Sequence, residues 1–190
     1  NTEKKQKALA ADVFVGLLES SYLQNDWKSV VNKVAAFEGL VAGSPIEQRA
    51  RVLSGEAQFK MRDFEAAAKA YEAAAKLKGR DSGEALFRLG LVRLNHLKQY
   101  AAAAGHFKDF SAQYASDPKR ADATFNEALC YYHSYYGGEV KHLADAIRLF
   151  DRFTAAYKKH DLATVAQFYS GKLQHIREDW AAAIKRFKPL

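Results

Sequence analysis

One cysteine and three prolines are scattered through 190 residues, and each shortage removes a class of explanation. With Cys130 alone there is no internal disulfide and no thiolate cluster to bind a metal. Its place in the apolar run Ala128-Leu129-Cys130-Tyr131 marks it as a small core residue. With prolines only at Pro45, Pro118 and Pro189, long helices run without interruption. No apolar run approaches the roughly 18 residues that a membrane-spanning helix requires.

Catalytic signatures are missing as well. His96, His106, His133, His142, His160 and His175 form no HExxH motif and no ligand pair with an acidic companion at helical spacing, so no metal and no other cofactor is expected. Tyr136-Gly137-Gly138 lacks the Lys-Ser/Thr of a phosphate loop and reads as a helix stop. There is no Gly-x-Ser-x-Gly, and Cys130 has no His/Asn context for nucleophilic work. An enzyme is not expected. Nor is charge concentrated: the net +7 divides as +1 over residues 1–60, +4 over 61–120 and +2 over 121–190. A nucleic-acid binder gathers its basic residues on one face, whereas here Lys and Arg alternate with Asp and Glu as on a solvated helical surface. No nucleic-acid partner is expected.

What the chain does contain is a repeat. An aromatic or apolar anchor, a small or β-branched residue three later and an apolar or aromatic residue four beyond that recur along the chain. They read Trp27/Val30/Val34, Phe64/Ala67/Tyr71, Tyr100/Ala103/Phe107, Leu143/Ala146/Phe150 and Trp180/Ala183/Phe187. Successive anchors lie 37, 36, 43 and 37 residues apart. A fixed period of this size is the signature of stacked supersecondary units, each too small to bury its apolar face alone.

Each unit reads as two antiparallel helices. First-helix starts are marked by Ser44-Pro45-Ile46-Glu47 (a capping box with proline in the first turn), Asp81-Ser82-Gly83-Glu84, Asp117-Pro118 and Asp161. Second-helix starts are marked by Asp26, Asp63 and Asp179, each immediately before its anchor. Gly55, Gly90, Ala128 and Gly171 in the first helices, and Ala67, Ala103, Ala146 and Ala183 in the second, are placed where two helices must approach closely. Glycine inside a helix costs about 1 kcal/mol relative to alanine, so its recurrence argues for a packing requirement.

Leu89-Gly90, Tyr100, Ala103 and Phe107, and again Gly55, Phe64, Ala67, Tyr71 and Ala74, resemble the tetratricopeptide repeat. The resemblance implies an all-α, right-handed α-solenoid of about five antiparallel helix pairs in a single array, with units at about 8–41, 45–78, 82–116, 119–158 and 162–190. Within that family, Phe107-Lys-Asp-Phe110-x-x-x-Tyr114-x-x-Asp117-Pro118 followed by Ala121-x-x-x-Phe125-x-x-Ala128-x-Cys130-Tyr131-Tyr132 is similar to repeats of bacterial envelope proteins, the outer-membrane assembly lipoprotein and the Tol–Pal-associated periplasmic protein. That likeness implies a periplasmic location or the periplasmic face of the outer membrane. The alternative is a spacer within a larger cytoplasmic or secretion-associated repeat protein.

The family's known mode of action implies a partner protein or peptide segment, held on the concave face that the first helices line. Tracking that face by helical periodicity selects Glu56, Phe59 and Lys60; Phe87, Leu91, Leu94 and Asn95; Phe125, Leu129, Tyr132 and His133; and Phe168, Lys172 and His175. Of these, Phe87, Phe125 and Phe168 recur at related places, so packing between units is favoured for them over ligand contact, and Phe59, Tyr132 and His133 are the better candidates for contact. The carboxylate clamp of chaperone-binding relatives is absent, because Val15, Glu19, Leu53, Phe87 and Leu91 stand at the matching places, and Glu19 and Glu56 would repel an acidic C-terminus. The fourth unit carries about six extra residues around Tyr131, Tyr132, Tyr135 and Tyr136, too many tyrosines to bury on one helical face, and is read either as a second contact region or as a longer helix pair covering a neighbouring unit. The chain opens Asn1-Thr2-Glu3 and closes Lys188-Pro189-Leu190 inside an expected helix, so it is read as a piece of a longer protein, with room for a signal peptide or lipid anchor outside it.

Overall fold

The computed structural model describes residues 2–44, 46–77 and 79–188, which are helical apart from short turns and contain no strand. Pro45 and the closing Pro189-Leu190, to which the sequence assigns a first-turn proline and a helix end, lie outside those residues. The helices are α1 (Thr2–Leu23), α2 (Trp27–Ala36), α3 (Glu38–Val41), α4 (Glu47–Lys60), α5 (Phe64–Lys76) and α6 (Ser82–Asn95). They continue with α7 (Tyr100–Gln113), α8 (Arg120–Tyr136), α9 (His142–Ala156), α10 (Ala163–Ile176) and α11 (Trp180–Phe187). Two compact units divide the chain between Leu97 and Lys98, within the third repeat. In the first, α1 packs on α2, α2 on α4, α4 on α5 and α5 on α6; in the second, α7 packs on α8 and each helix on the next through α11.

Second helices open where their caps require. Asp26, Asp63 and Asp179 carboxylates accept from the backbone N–H groups of Ser29, Ala66 and Ala182 at 3.0, 3.1 and 3.2 Å. The same three residues close the preceding helix. Their own N–H groups donate to the carbonyls of Ser21, Gln58 and Gln174 at 2.9, 2.9 and 3.0 Å, the 6→1 bond of a Schellman ending. That ending needs a left-handed residue just before the aspartate. Asn25, Arg62 and Glu178 supply it at φ 59, 65 and 63°, and Lys98 sits in the same conformation two residues before Tyr100 at 56°. None is glycine, so the turn carries some local strain in every repeat that uses it.

Asp117 accepts from the Lys119 N–H at 2.8 Å just before α8, but the other first helices begin differently from the expectation. α4 starts at Glu47 with Ile46, which has no side-chain cap to offer, as its cap residue. Instead Glu47 reaches back to accept from the Gly43 N–H at 2.7 Å, while its other oxygen pairs with Arg51. Asp81 and Asp161 give no side-chain cap either. Gln48, buried in α4, does the work for α6: its Oε1 accepts from the Asp81 N–H at 2.9 Å, and its Nε2 donates to Ala74 O and Ser82 Oγ. Buried polar groups must be paired, and here the partner comes from the repeat before.

Small residues lie at the helix crossings. A Cβ on Gly55 would stand 2.8 Å from Tyr71 Cε1, and one on Gly171 would stand 2.9 Å from Phe187 Cε1. Ala67, Ala103, Ala146 and Ala183 are buried. The first unit buries Phe14, Leu18, Val30 and Leu53 together, and Tyr71, Leu89 and Val92 in a second cluster. The second unit buries Phe125, Leu149, Phe150, Phe153 and Leu173 as one cluster. Cys130 is buried, its thiol pushed up to about 12, in keeping with a core residue. The helix that carries the tyrosine run is the longest of the first helices after α1: α8 has 17 residues, against 14 in α4, α6 and α10.

Candidate protein-binding surface

On the first helices of the first unit, charges close on one another. Arg49 of α4 meets Glu19 of α1 at 3.3 Å, and Arg88 of α6 meets Glu56 of α4 at 3.1 Å. Hydrogen bonding to Glu56 and burial push the Tyr22 hydroxyl up. The glutamates expected to repel an acidic ligand are thus each paired with an arginine. Phe59 is half-buried, its ring edge-on to Phe64 at 5.6 Å and to His96 at 5.2 Å. Lys60 and Asn95 are exposed. Leu94 is only 2% exposed and belongs to the interior, so it is no contact residue. Helical periodicity alone cannot distinguish a groove face from an inter-helix face on so apolar a helix.

On the second unit, α8 and α10 bring four aromatic and basic side chains together. Tyr132 is buried at 9% exposure, with Tyr136 and Tyr169 ring centroids each 4.7 Å away. Its hydroxyl accepts from Lys172 Nζ at 2.9 Å. Lys172 also lies over the Tyr136 ring, 5.1 Å from its centroid. Burial pushes the Tyr132 hydroxyl up, with Lys172 opposing, and hydrogen bonds to Tyr132 and Tyr136 raise Lys172. Both shifts favour a neutral Tyr132 phenol beside a charged Lys172 ammonium at neutral pH. Tyr132 is the interior support of the cluster, not a free contact. Tyr136, at 50% exposure, is the accessible member.

The remaining tyrosines are half-buried: Tyr131 packs edge-on to His142 at 5.1 Å, and Tyr135 lies against the core and Tyr136. His133 stacks on Tyr100 with centroids 5.4 Å apart, and burial, with Lys98 adding to it, holds its imidazole below the usual range. His175 is exposed and edge-on to Trp180 at 4.7 Å.

Two further features involve α10. Phe168 recurs in register with Phe125, which suggests inter-unit packing for both, yet Phe125 is 6% exposed and Phe168 48%. Phe125 is covered by Tyr169, Phe150 and Phe153, whereas Phe168 meets Tyr169 and Phe187 with ring centroids 6.1 and 6.0 Å away. The other is a polar knot in which Asp151 accepts from Ser170 Oγ at 2.5 Å and pairs with Arg186 at 2.9 Å, tying α9, α10 and α11 together. Among the described residues no His, Cys, Asp and Glu side chains converge to hold a metal ion, and no helix is long and apolar enough to cross a membrane.

Residues 52–118 match the tetratricopeptide repeat family. No curated protein matches the chain. Solved structures share the fold. MamA from Desulfovibrio magneticus RS-1, from residue 41 to its end, aligns at TM-score 0.67 and 17% identity, covering 94% of this chain and 92% of that one. YrrB, described as a TPR protein with an unusual peptide-binding site, aligns at TM-score 0.65 and 14% identity, covering 91% and 80%. PilF of Pseudomonas aeruginosa aligns at TM-score 0.61 and 14% identity, covering 96% and 76%. At these identities the likeness is one of fold: an all-helical tetratricopeptide-type stack, a class that generally serves as protein-interaction scaffolding.

Proposed function

We propose that this chain is a non-catalytic scaffold that binds a segment of another protein on the first-helix face of α8 and α10, within a bacterial cell-envelope complex. One observation carries the binding reading: Tyr136 and Phe168 stand exposed around a fixed ammonium, on helices whose other aromatics are buried or half-buried. Aromatic side chains on a rigid support give large contact area with little ordering on association. The similarity to a tetratricopeptide structure described as having a peptide-binding site lends support. The envelope setting rests on the resemblance of residues 107–132 to envelope-protein repeats.

The test is affinity capture from envelope extract with the intact protein and with Tyr136→Ala and Phe168→Ala. A stoichiometric protein retained by the wild type and lost by both variants supports the reading; equal retention by all three counts against this surface.

A second reading, spacer repeats of a larger cytoplasmic or secretion-associated protein, draws on α11, whose Trp180, Ile184 and Phe187 are exposed and suited to a following helix. Fractionation of cells producing the full-length gene product separates the two: recovery with the envelope supports the first, recovery in the cytosol the second.

A further inference from the structure

Glu56 and Lys172 occupy the same place in their repeats, each directly following the glycine at which two helices cross, Gly55 or Gly171. In the first unit the charge at that place is closed from the neighbouring first helix, by Arg88 at 3.1 Å. In the second it is not closed by an acid. The groups that act on Lys172 are Tyr132 and Tyr136, and no carboxylate is among them.

The ammonium is nonetheless held in place. Tyr132 Oη accepts one hydrogen bond at 2.9 Å, and the rings of Tyr132 and Tyr136 flank it with centroids at 5.5 and 5.1 Å. Its flexible stem has therefore already lost much of the freedom that binding would otherwise remove. Along α10, Phe168 precedes it by one turn and Ile176 follows by one turn, both exposed. A fixed, uncompensated positive charge thus sits between exposed apolar side chains.

We infer that Lys172, with Tyr136, Phe168 and Ile176, forms a subsite for an acidic–apolar protein segment, one that sets a carboxylate between apolar side chains. The inference rests on the binding reading above and adds the chemistry of the partner. The carboxylate takes the remaining N–H capacity of Lys172 as a charge-assisted hydrogen bond, while its apolar neighbours cover Phe168 and Ile176. The charge provides register and selectivity, and the apolar contacts provide area. A neutral segment of equal shape makes the apolar contacts but forgoes the charge-assisted bond, and that difference is the source of discrimination.

The experiment is fluorescence anisotropy with a fluorescein-labelled peptide of alternating Glu and Leu, and with its counterpart in which every Glu is Gln. The wild type should bind the acidic peptide about tenfold more tightly than the neutral one, the scale of one charge-assisted bond. Lys172→Met keeps the apolar stem against Tyr132 and should bring acidic binding down to the neutral level while leaving neutral binding unchanged. Equal affinity for the two peptides, an indifferent Lys172→Met, or no binding of either by the wild type would overturn the subsite. If both peptides bind equally and Phe168→Asp abolishes both, the carboxylate subsite falls while the binding surface stands.

Discussion

Gly55 faces the ring of Tyr71 so closely that a methyl group on Gly55 would lie 2.8 Å from Cε1 and 2.9 Å from Cδ1. Tyr71 is buried and has no room to withdraw. Gly55→Ala should therefore destabilise the protein by about 1–3 kcal/mol, despite alanine's better helix propensity. Gly16, in the middle of α1, has nothing within 4 Å of the place a methyl group would take, so Gly16→Ala should stabilise by about 0.5–1 kcal/mol. Urea melts of the two variants should move in opposite directions.

Arg62 holds a left-handed conformation at φ 65°, which only glycine adopts without cost. Arg62→Gly relieves about 1–2 kcal/mol of strain and gives back part of it through the freer unfolded chain, so a net gain of about 0.5–1 kcal/mol is expected. Thermal unfolding of Arg62→Gly against the wild type measures it. A lower midpoint would show that the turn is not strained.

Asp63 joins two helices, donating its N–H to Gln58 O and accepting the Ala66 N–H on its carboxylate. Asp63→Ala keeps the first bond and loses the second, for an expected cost of about 1 kcal/mol. Asp63→Asn retains an acceptor and should cost much less. Equal losses in the two variants, read by urea melts, would contradict the cap assignment.

Glu47 is held below the usual carboxylate range, first by the Gly43 N–H and then by Arg51, against an opposing effect of burial. Because the folded value is the lower one, this stabilisation is present above the ordinary glutamate pKa of about 4.3 and is lost as pH falls toward the folded value. Melting curves should show the wild type ahead of Glu47→Gln at neutral pH, with the gap closing below about pH 4. A gap independent of pH would assign the role to shape instead of charge.

Local chemistry was the legible part of this chain. The caps Asp26, Asp63 and Asp179, the crossing residues Gly55 and Gly171, and the helix-pair period were all readable, because each depends on residues within a turn or two. Gln48 was not readable as the cap of α6, since it acts 33 residues away from Asp81. The left-handed turns were hidden because Asn25, Arg62, Lys98 and Glu178 carry no glycine signal. At the candidate surface, the sequence points to Lys172 and the tyrosine run but cannot sort Tyr132, which supports, from Tyr136, which is exposed. Leu94 is misplaced by periodicity, and Phe168 by its register with Phe125, because burial there depends on what the neighbouring helix covers.

Whether the α8–α10 first-helix face meets another protein is tested most directly by site-specific photocrosslinking in the native cells. The crosslinker p-benzoylphenylalanine is placed at Tyr136 or Phe168 and, as a comparison, at Lys108 on the exposed side of α7. One discrete crosslinked protein from positions 136 and 168, and none from 108, is the expected result. The same products from all three positions, or products from 108 alone, would contradict a partner-binding role for this face.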